Sequence, residues 1–498
     1  MNANLYALLR DHFGEHLEQP CILFPGGPVI HYDDLDVESA RMANALVASG
    51  CRVGDRVAVQ TDKCWRALAL YLGALRAGLV YLPLNLAYRK AELGYFLGDA
   101  EPRVVICAPD DAASIAALRP QAQVMTLGDD EGSLVDRARE ASPRFATVSS
   151  APGDLAALLY TSGTTGRSKG AMLTHRNLAS NALALVERWG FTRGDVLVHA
   201  LPLFHVHGLF VACHCVLLSA ARMLWLPKFD AGEVIKLLPL ATVMMGVPTY
   251  YSRLLADAGL GAESCRTMRL FVSGSAPLLA DTFRDFAART GHTILERYGM
   301  TETGMNTSNP LDGERRCGSV GPALPGVGVR VVDGNGDLVP PGTVGGIEIK
   351  GPNVFAGYWR MPDKTAEELT ADGWFRSGDV GELSVDHYLS IVGRAKDLII
   401  TGGLNVYPKE IEQRIDALPG VAESAVIGVS DPDFGEAVTA IVVAKAGHVL
   451  AEADIIMALK QDIAGFKVPK RVHIVDELPR NAMGKVEKGT LRRNYAAH

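Results

Sequence analysis

The chain has 498 residues, 48% of them hydrophobic, and a formal net charge of −7. That length exceeds what one compact core serves and predicts two or more domains. The acidic balance argues against general nucleic-acid binding, and eight sparse cysteines point to reduced thiols in a cytoplasmic protein rather than to a disulfide framework.

The N-terminus, MNANLYALLRDHFGEH, carries charges in its first turns and lacks a long apolar core, so it does not read as a secretory signal. From residue 1 to about 394, short apolar runs alternate with helical patterns. Residues 56–60 read as a strand. Residues 64–77 read as an amphipathic helix with Leu68, Leu72 and Leu75 on one side, and residues 79–82, 104–107 and 155–160 as strands. A second series of strands runs through 196–200, 223–226, 242–245 and 270–272. The rhythm predicts parallel sheets covered by helices. The longest apolar run, 209–226, is interrupted by His214 and Arg222 and reads as a buried strand–helix segment, not a membrane span. Within it, Cys213-His214-Cys215 lacks a second ligand pair of suitable spacing and is expected to face a core. After Pro325 the segments 326–332, 345–350 and 388–392 predict a distorted antiparallel sheet or small barrel. From Asp397 onward a smaller α/β unit is expected, with helices over 409–417 and 452–461 and strands over 421–429, 438–445 and 471–475.

Seven segments carry chemistry. Residues 160–170, YTSGTTGRSKG, leave a strand end, where open α/β sheets place ligands. Backbone N–H groups and hydroxyls in such a loop can wrap phosphate oxygens, with Lys169 and Arg167 adding charge. It is not a Walker A loop, because Gly170 rather than Ser or Thr follows Lys169. Residues 273–277, SGSAP, follow an apolar strand, and their small side chains admit a planar ligand; alone they read as an ordinary turn. Residues 298–302, YGMTE, offer an aromatic face in Tyr298, a hydroxyl in Thr301 and a hard oxygen ligand for Mg²⁺ in Glu302. Residues 374–379, WFRSGD, place Asp379 where a carboxylate can accept two ribose hydroxyls, and Arg394 in GRAKD, 393–397, adds a cation; surface ion pairing is the plain alternative for both. In ITGGLNVY, 400–407, Gly402-Gly403 can admit a narrow ligand or form a β-bulge. In LPRNAMGKVEK, 478–488, Lys485 tips a loop; alone, a loop lysine is normally just solvated.

Taken together, these motifs resemble the adenylate-forming superfamily of acyl-CoA synthetases, peptide-synthetase adenylation domains and luciferases, over nearly the entire chain. The resemblance implies an α/β fold: a large N-terminal domain, 1–393, of two α/β subdomains plus a small β-barrel, a hinge at 394–397, and a small mobile α+β domain, 398–498. It implies ATP, Mg²⁺ and CoA. By matching position, Thr161, Ser162, Gly163, Thr164, Thr165, Gly166 and Lys169 should hold the triphosphate. Gly274, Ser275, Ala276, Pro277 and Tyr298 should hold the adenine, Asp379 and Arg394 the ribose, Thr301 a phosphate and Glu302 the Mg²⁺. Lys485 matches the adenylation lysine, Lys396 the hinge, and Gly402-Gly403 the pantetheine tunnel.

Within the superfamily the chain is most similar to malonyl-CoA synthetases, in ALPLFHVHGLF (200–210), GVPTYYSRLL (246–255), MRLFVSGSAPLL (268–279), ERYGMTETGMNTSNP (296–310) and GPNVFAGYWRMP (351–362). Gly304 departs from the bulkier residue expected there and bears on the size limit of the acid. A diacid needs a partner for its second carboxylate. Arg253, in an otherwise apolar stretch after Pro248, is from the residues alone as readily a surface arginine as that partner; the resemblance favours malonate contact, with His207, Ser273 and Met305 as other walls. The expectation is malonate activation as an adenylate, then thiolysis by CoA after the small domain turns about Lys396. A methylmalonate or short-monoacid synthetase, a loader of a carrier protein, and a non-catalytic nucleotide sensor remain open. The exposed loop also suggests a lysine acetyltransferase acting on Lys485. No nucleic-acid or membrane partner is expected.

Overall fold

The computed structural model describes residues 2–161, 168–401, 404–431, 434–481 and 484–496. Ser162, Gly163, Thr164, Thr165, Gly166, Gly402 and Gly403 lie outside the described residues.

Two large sheets form the first part of the chain. One has six strands in the order Gln123–Thr126, Val104–Cys107, Arg56–Gln60, Val80–Pro83, Leu155–Thr161, Lys169–Thr174, parallel except for the last pair. The other has eight, in the order Gly304–Ser308, Leu295–Met300, Leu270–Ser273, Val243–Gly246, Val196–His199, Arg222–Trp225, Pro20–Leu23, Val29–His31, parallel within and antiparallel at both edges. Strands such as Leu155–Thr161 are buried nearly end to end, as expected of parallel sheets covered on both faces.

The helix Trp65–Arg76 is buried from Ala67 through Arg76, so it is a core helix rather than the one-sided helix its leucine spacing suggested. Gly73 explains the fit: a Cβ there would lie 2.8 Å from the Ser39 carbonyl oxygen, so the helix packs backbone-close on Tyr32–Ala48. The apolar run beyond residue 206 is a π-helix, His207–Cys213, then an α-helix, His214–Leu218, and the strand Arg222–Trp225. Cys213, His214 and Cys215 are all buried, and among the described residues no cluster of metal-binding side chains occurs. No described helix is long and apolar enough to cross a membrane.

Of the sheet or small barrel expected after Pro325, the structure has the sheet: four antiparallel strands, Gly328–Val332, Gly345–Lys350, Phe375–Leu383, Leu389–Arg394, with no described pairing between the first and last. A 3-10 turn, Ala395–Asp397, follows it. Beyond that, Leu404–Val406, Ile399–Thr401, Gly435–Ala444, Val421–Asp431 and Arg471–Val475 form a separate five-stranded sheet with its own apolar core around Ile411, Val426 and Val442. This part touches the rest lightly. Lys445 Nζ lies 3.9 Å from Asp281 Oδ2, and Gly484 packs against Thr249.

Candidate active site

The motif residues gather where the parallel strands end. The strand Leu295–Met300 runs on through Tyr298, further than its apolar start suggests, because it pairs antiparallel with Gly304–Ser308. The turn between them holds Thr301 and Glu302. In the four-stranded sheet Asp379 and Arg394 sit opposite one another, and Arg394 Nε lies 2.6 Å from Asp379 Oδ1. The Tyr298 hydroxyl donates to Asp379 Oδ2 at 2.5 Å. Burial raises the Tyr298 pKa well above its usual value, and the Asp379 charge adds to that. Asp379 is further fixed by its backbone N–H on Ser377 Oγ, 3.0 Å. A carboxylate held this way has its orientation already set.

The phosphate end is a second closed network. Lys169 Nζ lies 2.8 Å from Glu368 Oε1 and 4.0 Å from the centre of the Tyr358 ring, a cation–π contact. The Tyr358 hydroxyl lies 2.6 Å from Glu368 Oε2 and 3.1 Å from Glu302 Oε1. Thr161 Oγ1 is 3.4 Å from the same Glu302 oxygen. Burial raises the Glu302 pKa. For Glu368 burial works in the same direction and is the largest single influence, but the contacts to Lys169, Tyr358 and Lys364 together outweigh it and the pKa is lowered. Glu302 thus brings a buried, hard oxygen ligand to the threonine at the loop's entrance, a donor set suited to Mg²⁺ with phosphate oxygens completing the shell.

Lys485 enters from the small domain. It is exposed as a residue, but burial of its ammonium brings the pKa down to about 8, and the Arg394 charge adds to the fall. Asp379, Lys396 and Asp397 are close enough to act on it too.

A third group of buried polar side chains behaves differently. Arg297 is 3% exposed, and its Nε and Nη2 have no hydrogen-bond partner. Burial lowers even this guanidinium's pKa, to about 10. A Cβ on Gly274 would come 2.5 Å from Arg297 Cζ, so the glycine makes room for it. His207 is 1% exposed with both ring nitrogens unpaired. Its pKa falls well below the usual range, by burial first and then by the Arg297 charge. Ser273 is fully buried and its Oγ is also unpaired. Met305 is buried nearby on the adjoining strand.

Of the expected site residues, Thr161, Lys169, Tyr298, Glu302, Asp379 and Arg394 are joined in the two networks, His207 lies within reach of the Arg297 charge, and Ser273 is buried on the neighbouring strand beside Glu296. Lys396 is exposed in the turn. Arg253 departs from expectation. The helix Pro248–Ala256 buries Tyr251 and Leu254, and Arg253 is exposed, with no ion-pair partner among the described residues. Gly304 has φ +58°, and a Cβ there would meet Asn181 Oδ1 at 2.6 Å. Asn181 pairs with the Met305 backbone through both its amide atoms, at 2.8 and 3.0 Å. The side chain missing at 304 would therefore strike Asn181. Arg297, Tyr358, Glu368 and Glu296 were not singled out from sequence. Buried Glu296 has a pKa raised to about 7 by burial. The signal for Arg297 was in view: an arginine inside a strand leading to the YGMTE turn.

The AMP-binding enzyme family model matches residues 9–359, and that of the AMP-binding enzyme C-terminal domain matches residues 410–485. The crystal structure of ATP-bound MatB from Rhodopseudomonas palustris is 56% identical, covers 100% of this chain and 99% of its own, and has a TM-score of 0.98. The apo structure of that protein, at the same identity and coverage, gives 0.87. The present arrangement is thus nearer the ATP-bound one. The feruloyl-CoA synthase of an Amycolatopsis species is 37% identical over 94% of this chain and 95% of its own length. The malonate–CoA ligase ACSF3, mitochondrial, of Mus musculus is 37% identical over 89% and 82%.

Proposed function

We propose, from the premise that the chain belongs to the family of AMP-binding enzymes, that it is an AMP-forming acid–thiol ligase converting malonate, ATP and CoA to malonyl-CoA, AMP and pyrophosphate. A carboxylate oxygen of malonate attacks the α-phosphorus of ATP, and the bond to pyrophosphate breaks. The CoA thiol then attacks the acyl carbonyl, its proton is lost, and AMP departs. Activation replaces a poor leaving group by a good one.

The roles follow from position. Asp379 and Arg394 suit the ribose, and Tyr298 with Gly274, Ser275, Ala276 and Pro277 the adenine. Thr161, Lys169 and the loop between them suit the triphosphate, with Thr301 beside it. Glu302 would hold Mg²⁺, which when bound neutralises phosphate charge. Lys485 supplies a positive charge for the α-phosphoryl group. Rotation about Lys396 would withdraw Lys485 and bring Gly402-Gly403 to a pantetheine tunnel. Acetylation of the exposed Lys485 by a lysine acetyltransferase would cancel its charge and stop adenylation. The buried thiols suit a cytoplasmic enzyme.

One observation carries the choice of a diacid. Arg297 and His207 bring unpaired buried polar atoms close enough for the guanidinium's charge to act on the ring. A buried cation without a partner is costly, and a second carboxylate would supply both the charge and the acceptors. A guanidinium fits a carboxylate in two-point fashion. Malonate is short enough to reach from the adenylate to such a partner. This moves the contact from Arg253 to Arg297 and leaves Arg253 at the outer face. The test is CoA-thioester formation across acetate, malonate, methylmalonate and succinate. Malonate is expected to have the highest kcat/KM. Acetate equal to malonate would end the diacid reading.

A further inference from the structure

Lys63 is half-buried as a residue, but its ammonium is enclosed and the proposed chemistry does not use it. It lies between the strand Arg56–Gln60 and the helix Trp65–Arg76, in the six-stranded-sheet part of the chain. Its ammonium reaches across to the eight-stranded sheet. Nζ lies 2.8 Å from His199 Nδ1, 2.7 Å from the His199 carbonyl oxygen and 2.6 Å from the Leu226 carbonyl oxygen. Three N–H donors thus meet three acceptors at the ends of two neighbouring parallel strands. The Trp225 ring centre is 4.3 Å away, and among the described residues no carboxylate pairs with Lys63. Burial pulls the ammonium's pKa well down, and the three acceptors are what holds the proton there.

The pairing has a consequence for His199. The Gly208 carbonyl oxygen beside Nε2 can only accept, so the ring's single proton is on Nε2 and Nδ1 is left to accept from Lys63. That nitrogen lies 3.0 Å from the Gly208 carbonyl oxygen and 3.4 Å from Cys213 Sγ. Gly208 and Cys213 both belong to the π-helix His207–Cys213. In the other tautomer Nε2 would present a lone pair to the Gly208 oxygen, and the bond would be lost. Gly208 is tightly seated: a Cβ there would lie 2.0 Å from the Pro202 carbonyl oxygen. The residue before it is His207, whose unpaired ring faces the Arg297 charge.

We propose that Lys63 is a positioning residue for the acid end of the site: by fixing the Nε2–H tautomer of His199 it clamps the first turn of the π-helix and so aims His207 at the acid's second carboxylate. This rests on the reading of the site as a diacid ligase. No group of Lys63 touches substrate.

The experiment compares wild type with Lys63→Met in CoA-thioester formation from malonate and from propionate. The KM for malonate should rise roughly ten- to a hundredfold, the scale of a misplaced contact. The KM for ATP and the kinetics with propionate should change less than about twofold, within ordinary surface-substitution effects. Equal losses with both acids, or no loss with malonate, would overturn the role. A ¹⁵N NMR spectrum of the imidazole rings in the wild-type protein needs no variant to fold. It should show His199 protonated at Nε2 alone; a proton on Nδ1 overturns the proposal. A wild type inactive on malonate would overturn the ligase reading and this role with it. An active wild type with an unchanged variant overturns only the role of Lys63.

Discussion

Arg297 and Tyr298 are neighbours on one strand and face opposite compartments. The Tyr298 hydroxyl is bonded to Asp379, which is bonded in turn to Arg394; Arg297 leaves Nε and Nη2 without partners. Alternation along a strand sends successive side chains to opposite faces, so on the function proposed above one strand serves both a nucleotide end whose polar groups satisfy one another and an acid end whose polar groups do not. The nucleotide end must exchange its internal partners for ligand ones. The acid end only gains partners. Binding at the first end therefore has a small net balance for each bond, whereas binding at the second relieves a buried charge.

The comparison is broken most directly at Arg297. Arg297→Met should lower kcat/KM for malonate by about thirty- to several-thousand-fold, from the roughly 2–5 kcal/mol lost when one member of a buried charge pair is removed. Butyrate should lose far less. Thermal unfolding should be unchanged or shifted upward, because the substitution removes an unpaired buried cation. A lowered melting temperature with parallel losses for both acids would make Arg297 a structural residue.

Lys485→Ala should cut malonate-dependent pyrophosphate release by about a hundred- to a thousandfold, the usual scale for losing one electrostatic contact to a transition state. Thioester formation from supplied malonyl-adenylate and CoA should survive. With its pKa near 8, Lys485 is charged below that pH and loses its charge as the pH rises through it. Adenylation should accordingly fall on the alkaline side, while thiolysis of the supplied adenylate should lack that limb. Equal alkaline loss in both half-reactions would count against the division of labour.

Asp379→Asn tests the paired end. It leaves Arg394 and Tyr298 without their shared acceptor charge and should cost about 1–3 kcal/mol of stability, read as a lower denaturation midpoint, together with a raised KM for ATP. A stability unchanged by this substitution would erase the contrast with Arg297. Arg253→Ala should have the smallest effect, under about threefold in kcat/KM for malonate, as for most exposed substitutions; a large selective loss would restore Arg253 as the acid's partner.

Much of the cleft was legible in the sequence because its motifs sit at strand ends. The strand Leu155–Thr161 announced itself by continuous apolarity, and the Gly/Ser/Thr loop after it by composition. Tyr298, Glu302, Asp379 and Arg394 were legible by type and position. What eluded the sequence depends on distant parts of the chain. Tyr358 and Glu368 matter through Lys169, nearly two hundred residues away in the chain. Lys63 matters through His199. For Arg253 the residues alone left surface and pocket equally open and the resemblance favoured the pocket, but burial of Tyr251 and Leu254 fixes the inner face of that helix, and a residue directly before Leu254 turns outward. Arg297 looked like an ordinary strand charge because nothing local marks an arginine that has lost its partners.

The π-helix His207–Cys213 gives the acid end an evolutionary handle. A π-turn differs from an α-turn by one residue in its hydrogen-bonded loop. Such a turn accommodates one extra residue while the helix on either side keeps its facing, so deleting a single residue within it would restore α spacing and change which side chain stands in the turn. His207 would leave the cleft, and a different side chain would arrive. A one-residue insertion or deletion in this segment is thus a short genetic route from one acid to another, taken without disturbing the strand that carries Tyr298 and Glu302.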